Sequence, residues 1–164
     1  MKNPHLIAKA VDSKTQSDSI VVSFATDWHK PLLEGRFKAV IRKRIPKKLK
    51  PKWLYFHINS PVAAICGRAE IASFSELTIA QAKAISSDLS LSVSEIDAYV
   101  GDGTVIGCYK LGRIELAKPP LTLTTLADHM IYHAPQSFFV ISSAAKTIID
   151  KLAGFHDRKL HQPK

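Results

Sequence analysis

The chain has 164 residues, 46% of them apolar and 23% charged, with a formal net charge of +9 and two cysteines. That length suits one domain whose core buries roughly 70% of the unfolded surface, and the composition excludes a disordered chain or a disulfide scaffold. No run approaches the roughly 18 apolar residues of a membrane helix, and the N-terminal stretch lacks the continuous apolar core of a secretory signal, so the expectation is a cytoplasmic protein without a membrane partner.

Residues 1–18 are polar and aperiodic, which predicts a flexible arm, with order beginning at Ser19. The β-branched run Ile20–Phe24 predicts a buried strand. Thr26 and Asp27 then offer N-cap chemistry for a helix of about two turns, limited by Pro31 and closed by Gly35. Lys38–Arg44 can form a strand with one charged face, and Pro46 and Pro51 bracket a lysine-rich loop. Two further strands are expected at Trp53–Asn59 and Val62–Phe74, joined by a turn at Asn59–Pro61, with Gly67 marking a bulge or bend.

Helical spacing returns from Leu77 to Leu89, and Ser92 with Glu95 forms a capping box for a helix ending at Gly101–Gly103. A long strand is expected at Thr104–Ala117, stopped by Pro119–Pro120, then a short helix at Leu126–His133, a strand at Ser137–Ser142 and a last helix ended by Gly154. Residues 19–154 thus form a single α+β domain of five to six strands, mixed or mostly antiparallel, with two to three helical insertions and a curved or closed sheet, leaving 155–164 as a basic flexible tail. Cys66 and Cys108 sit in apolar strands and read as buried thiols; a disulfide between them would need those strands to pair.

The charge is concentrated. Arg36, Lys38, Arg42, Lys43, Arg44, Lys47, Lys48, Lys50 and Lys52 fall in one window without an acid, and the other 14 basic residues match the 14 acidic ones. Such a patch is the footprint of a polyanion partner, nucleic acid foremost; its other reading is a solvated hairpin. Trp53 and Tyr55 follow directly and share one strand face, with Phe56 on the other; whichever face is buried packs the core, and an exposed one could stack on unpaired bases. Arg42 can offer a planar bidentate donor to phosphate or a base edge, or instead pair with an acid such as Glu70. Gln136 and Ser137 can read a base edge, or simply fix the turn into the last strand. His129 and His133 stand at i and i+4 beside Asp128 without a third ligand, so no metal and no cofactor is expected. No nucleophile elbow, phosphate loop or dinucleotide fingerprint occurs.

The order of these motifs resembles the ASCH group of the PUA-like superfamily. Four segments carry the resemblance: Ser19–Arg44, with Gly35 and Arg42 matching a G-x-K-x-x-E-x-R pattern; Trp53–Ile71, with Ser60, Pro61 and Gly67; Leu91–Gly103; and Pro135–Phe138 leading into the last strand. The resemblance implies a small PUA-like β-barrel that binds RNA or a modified nucleotide. It implies a binding surface built from Arg36, Lys38, Arg42, Arg44, Lys47, Lys48, Lys50, Lys52, Trp53, Tyr55, Gln136 and Ser137. Some ASCH proteins are amidohydrolases of N-acetylated cytidine that use a lysine and a threonine of the first motif with an acid from a later helix. Here those motif positions hold Phe37 and Val40, and the acid falls near Leu89 and Asp88, which disfavours that chemistry unless Lys38 takes the lysine's role. A ribonuclease or nucleoside hydrolase would draw on Lys38, Arg42, Tyr55 and Ser137; a third reading is a module docking an acidic protein.

Overall fold

The computed structural model describes residues 16–157, Gln16 by its main chain only; the expected arm at residues 1–15 and the tail at 158–164 lie outside the described residues. In chain order the elements are β1 (Gln16–Phe24), a 3₁₀ turn (Thr26–Trp28), α1 (His29–Leu33), β2 (Ala39–Arg42), β3 (Trp53–Ile58) and β4 (Ala64–Thr78). Then come α2 (Ile79–Ala84), α3 (Ser86–Leu89), α4 (Val93–Val100), β5 (Val105–Thr122), α5 (Leu123–His129), β6 (Phe138–Ser142) and α6 (Ser143–Ala153). The first strand starts three residues before Ser19.

All six strands join one sheet in the order β2-β5-β4-β3-β1-β6, with β1–β3 parallel and every other pair antiparallel. The mixed α+β class holds, but the expected barrel does not: β2 and β6 remain open edges. The sheet nevertheless curls. Val40 of β2 and Ile20, Val22 and Phe24 of β1 share one core cluster although three strands separate them in the ladder. Register shifts on β4, between Ile65 and Gly67, Ala69 and Ile71, and Ile71 and Ser73, bend the long strands toward that cluster. Gly67 sits at the first, where an added Cβ would lie 2.7 Å from the Glu115 carbonyl oxygen, so only glycine fits.

Two sequence expectations fail for local reasons. β5 runs through Pro119–Pro120, because residues 117–120 lie between the Gly67–Leu116 and Ile65–Leu121 pairs and the missing N–H groups cost no ladder bond there. Thr26 does not cap a helix; its hydroxyl donates to the carbonyls of Asn59 and Ser60, tying the 3₁₀ turn to the β3–β4 connection. The capping box at Ser92–Glu95 is present, a second one forms at Thr78–Gln81, and Gly35 closes α1 at φ +66°. Cys66 and Cys108 are buried and unlinked although their strands pair: Cys108 lies opposite Ser75, nine residues along β4 from Cys66.

The convex side of the sheet carries two more clusters. Helices α2–α4 cover Ala39, Ile41, Ile106 and Cys108 at one end, and α5 and α6 cover Val21, Tyr55 and Ile65 at the other. Under α6 lies Arg68, wholly buried, with its guanidinium 3.9 Å from the Trp53 ring centroid and 4.9 Å from that of Phe155. It pairs with Glu115 at 3.2 Å, Asp150 at 3.3 Å and Asp157 at 2.9 Å, and Lys146 completes the set with a 2.8 Å contact to Asp150. This corrects the expected tail: Phe155 is buried and Asp157 is held, so the packed domain continues past Gly154. Among the described residues no helix is long and apolar enough to cross a membrane.

Removing one member of a buried ionic cluster strands its partners, at a cost of about 3–5 kcal/mol. Arg68→Ala should therefore lose about that much stability in urea denaturation, with Lys146→Ala losing less. A second expectation concerns acid. His57 is buried 2.9 Å from the Tyr132 hydroxyl, and burial holds its pKa below the ordinary 6.5. The neutral ring is the native form, so its contribution is complete above pH 6.5 and is lost as pH falls from there through the lower native value. Acid melts of His57→Gln should show a shallower decline over that range.

Candidate functional site

The curl of the sheet leaves a pocket of about 110 Å³ where β1, β2 and the helical insertion meet. Phe24, Trp28 and Phe37 form one wall, Ala39–Arg42 the floor, and Leu89, Leu91 and Tyr99 the opposite wall. Ring centroids of Phe37 lie 5.8 Å from Phe24, 5.2 Å from Trp28 and 5.6 Å from Phe56, so the aromatic wall is a packed unit.

Arg42 supplies the pocket's charge. One guanidinium nitrogen donates to the Ser23 carbonyl at 2.7 Å, across the gap between β2 and β1, and the group lies 4.4 Å from the Phe24 ring centroid. Its Nε is buried with no hydrogen-bond partner among the described residues. Glu70, the acid considered for it, stands exposed opposite Trp53 on β4 instead. Ser23 in turn is fixed by the segment before β6: its N–H donates to the Ser137 carbonyl at 3.0 Å, and its hydroxyl lies 3.4 Å from the carbonyls of Gln136 and Ser137. The structure thus brings Arg42 and the Gln136–Ser137 segment together, through main-chain groups, with Gln136 exposed.

The rest of the predicted set divides. Lys38, Arg44, Lys47, Lys48, Lys50 and Lys52 are exposed and, among the described residues, have no ion-pair partner, whereas Arg36 binds Glu34 at 2.7 Å. Lys38 does not line the pocket. Lys43 does approach it: its N–H donates to the Tyr99 hydroxyl at 3.4 Å and its ammonium sits 5.3 Å from that ring centroid. The lysine loop is anchored, since Ile45 and Leu49 pack on the inner core and the Lys52 N–H donates to the Asp18 carbonyl at 2.7 Å.

Tyr55 and Trp53 are corrections. Tyr55 is wholly buried on the convex side, where its hydroxyl donates to Asp150 and accepts from Arg68, and burial pushes its pKa far up. Trp53 lies against Arg68 on the same side. Phe56 enters the inner core, so both faces of β3 are buried. Phe37 and Val40 are buried as well, which makes the motif's lysine and threonine positions packing positions here. Burial pushes the Cys66 thiol up to about 11 and the Tyr109 hydroxyl up to about 12, so neither is ionised at neutral pH. His129 and His133 are exposed and belong to no cluster of three metal-ligating side chains among the described residues. Sequence reasoning missed Ser23, Tyr99 and Arg68; the last had a signal, a lone cation inside the apolar run of β4, where a buried charge demands partners.

Among solved structures the fold is that of ASCH proteins. The ASCH protein of Zymomonas mobilis matches with a TM-score of 0.74 at 16% identity, covering 85% of this chain and 99% of that one. A single-residue mutant of it gives 0.75 at 16% identity, over 84% and 98%. The N-terminal domain of McrB from Staphylothermus marinus matches at 0.58 and 13% identity, over 83% and 94%. No protein-family model matches the sequence, and neither does any curated protein.

Arg42→Met keeps an apolar stem against Phe24 but removes the charged donor to the Ser23 carbonyl. Hydrogen bonds from charged groups contribute about 1.5–3 kcal/mol, and urea denaturation should show a loss in that range.

Proposed function

We propose that the chain is a binding module for RNA or a modified nucleotide, which seats a base or base-like group in the pocket lined by the aromatic wall and Arg42 while the basic strand and loop hold phosphates. The observation that carries this reading is the placement of the unpaired cations. Lys43 and Arg44 continue β2, the strand that floors the pocket, and Lys47, Lys48, Lys50 and Lys52 follow on an anchored loop with no acid inside the window. A charge stripe that merely solvated a surface would need neither the anchoring nor the pocket beside it. Arg42 adds a planar donor with unused capacity, suited to a phosphate or a base edge. The association of ASCH proteins with RNA and modified nucleotides supports the same reading. The amidohydrolase reading gains no support, because Phe37 and Val40 leave that chemistry without its amine and hydroxyl.

Phosphate contacts release counterions, so affinity should fall steeply with salt, with a logarithmic slope of about 0.7 for each phosphate neutralised on a single strand. Replacing Lys47, Lys48, Lys50 and Lys52 together by glutamine should weaken binding to all sequences alike and flatten that slope. Fluorescence polarisation with labelled single-stranded RNA over a salt series measures both. Binding that ignores salt, or no binding to any RNA or modified nucleoside, overturns the proposal; tighter binding to an acidic peptide than to RNA transfers the surface to a protein partner.

A further inference from the structure

We propose that a second site for an unpaired base lies beside the lysine loop, with Phe74 as its stacking platform, so that the ligand is single-stranded RNA several nucleotides long rather than a free nucleoside. This rests on the nucleic-acid reading above and extends it to a surface that the sequence motifs do not include.

A groove of about 370 Å³ runs between the loop and the β4–β5 ladder. Leu49, Ile71 and Tyr109 make its apolar floor, Lys50 and Lys52 stand on its rim, and Phe74 closes one end. Phe74 is 42% exposed, whereas the other phenylalanines on this side of the sheet that share the core, Phe24, Phe37 and Phe56, are buried. Its ring is not loose. The centroid lies 5.0 Å from that of Tyr109 at an interplanar angle of 45°, and a Cβ built on Gly107 would meet Phe74 Cε2 at 3.2 Å. One side of the ring is therefore seated on the protein and the other is presented to solvent in a fixed orientation. That is the form a base-stacking platform takes, because a preoriented aromatic loses little conformational entropy on binding.

The register connects this platform to the pocket. Arg42 pairs with Gly107 and Gly107 with Glu76, so these positions share one sheet face with Phe74, two residues before Glu76. Two interstrand steps of ~4.8 Å and one two-residue step of ~6.8 Å put Arg42 and Phe74 about 12 Å apart along that face. At about 3.4 Å per stacked nucleotide this is a span of three to four nucleotides. A mononucleotide can reach one site, an oligonucleotide both. The charge around the groove favours an anionic backbone, since Lys50 and Lys52 have no ion-pair partner among the described residues; the exposed Glu76, across Gly107 from Arg42 on the same face, confines the backbone to the side of the path nearer the lysine loop.

The test compares fluorescein-labelled oligouridylate as an octanucleotide and a dinucleotide, with UMP as competitor, on the wild type, Phe74→Leu and Phe74→Trp. Leucine keeps the apolar cover over Tyr109 and removes the π face, and thermal melts establish that both variants are folded. Loss of one stacked base corresponds to roughly a tenfold or greater change in affinity. The octanucleotide should therefore bind Phe74→Leu about tenfold more weakly than wild type, Phe74→Trp at least as tightly as wild type, and UMP competition should be the same on all three. Octanucleotide binding that is salt-sensitive but unaffected by Phe74→Leu overturns the second site while leaving the RNA reading intact. No octanucleotide binding to the wild type overturns both. An oligoglutamate peptide that displaces the octanucleotide at equal concentration and is indifferent to Phe74→Leu also overturns it, in favour of an acidic partner.

Discussion

The guanidinium of Arg42 joins two strands that no ladder connects. β2 is one edge of the sheet and β1 is next to the other edge, yet the Arg42 side chain reaches the Ser23 carbonyl at 2.7 Å. Backbone hydrogen bonds could have closed this gap and made a barrel. The sheet instead curls until the two strands face each other, and the space between them is filled by Phe24, Phe37 and Val40 on one side and left open on the other. The pocket exists because closure stops at a side chain. A ladder bond there would have satisfied the main chain but closed the cavity that Arg42, alone of the cations among the described residues, lines.

The molecule's two inner arginines show how charge balance separates architecture from recognition. Arg68 is surrounded by three carboxylates and two aromatic rings, with Lys146 sharing the acids, so the cluster is close to neutral, and even its Nη2, which makes no hydrogen bond among the described residues, lies 3.2 Å from the Glu115 carboxylate. Such a cluster fixes the C-terminal helix and residues 155–157 on the sheet. Arg42 has a carbonyl and a ring, but no acid, and one of its N–H groups is unanswered among the described residues. A buried donor without an acceptor is costly in a closed core and useful at the wall of an open pocket. The same distinction sorts the lysines: Lys146 is paired and half-buried, whereas those of the loop are exposed and unpaired.

Much of this was legible in the sequence because local rules set it. A β-branched run gave β1 and an aromatic-rich one β3, Gly35 the end of α1, Ser92 and Glu95 the start of α4, and Gly67 the bulge, each through a preference that acts over a few residues. The order of motifs gave the fold by resemblance. What was not legible depends on which strands meet. Closure of the sheet is decided by the relation of β2 to β1, residues far apart in sequence, and no local pattern reports it. Tyr55 looked available because alternation tells which residues share a strand face but not whether the opposite face is covered too; α6, almost a hundred residues later, covers it. The path of β5 through Pro119–Pro120 was hidden for the same reason, since a proline's cost in a strand depends on whether a partner stands opposite it.

Phe37 and Val40 bring the two levels together. Their side chains complete the aromatic and aliphatic packing that carries β2 against β1, so the residues that hold the curl in place are those that stand where the ASCH motif has polar groups. The consequence is a pocket whose wall is apolar and rigid and whose charge comes from a single planar cation at its floor. Such a wall favours flat, aromatic guests, because it supplies a surface to stack on and little with which to bond an aliphatic polar group. Packing and chemistry are thus tied at the same two positions: the residues that stand in place of a reactive amine and hydroxyl also build the apolar wall of the pocket.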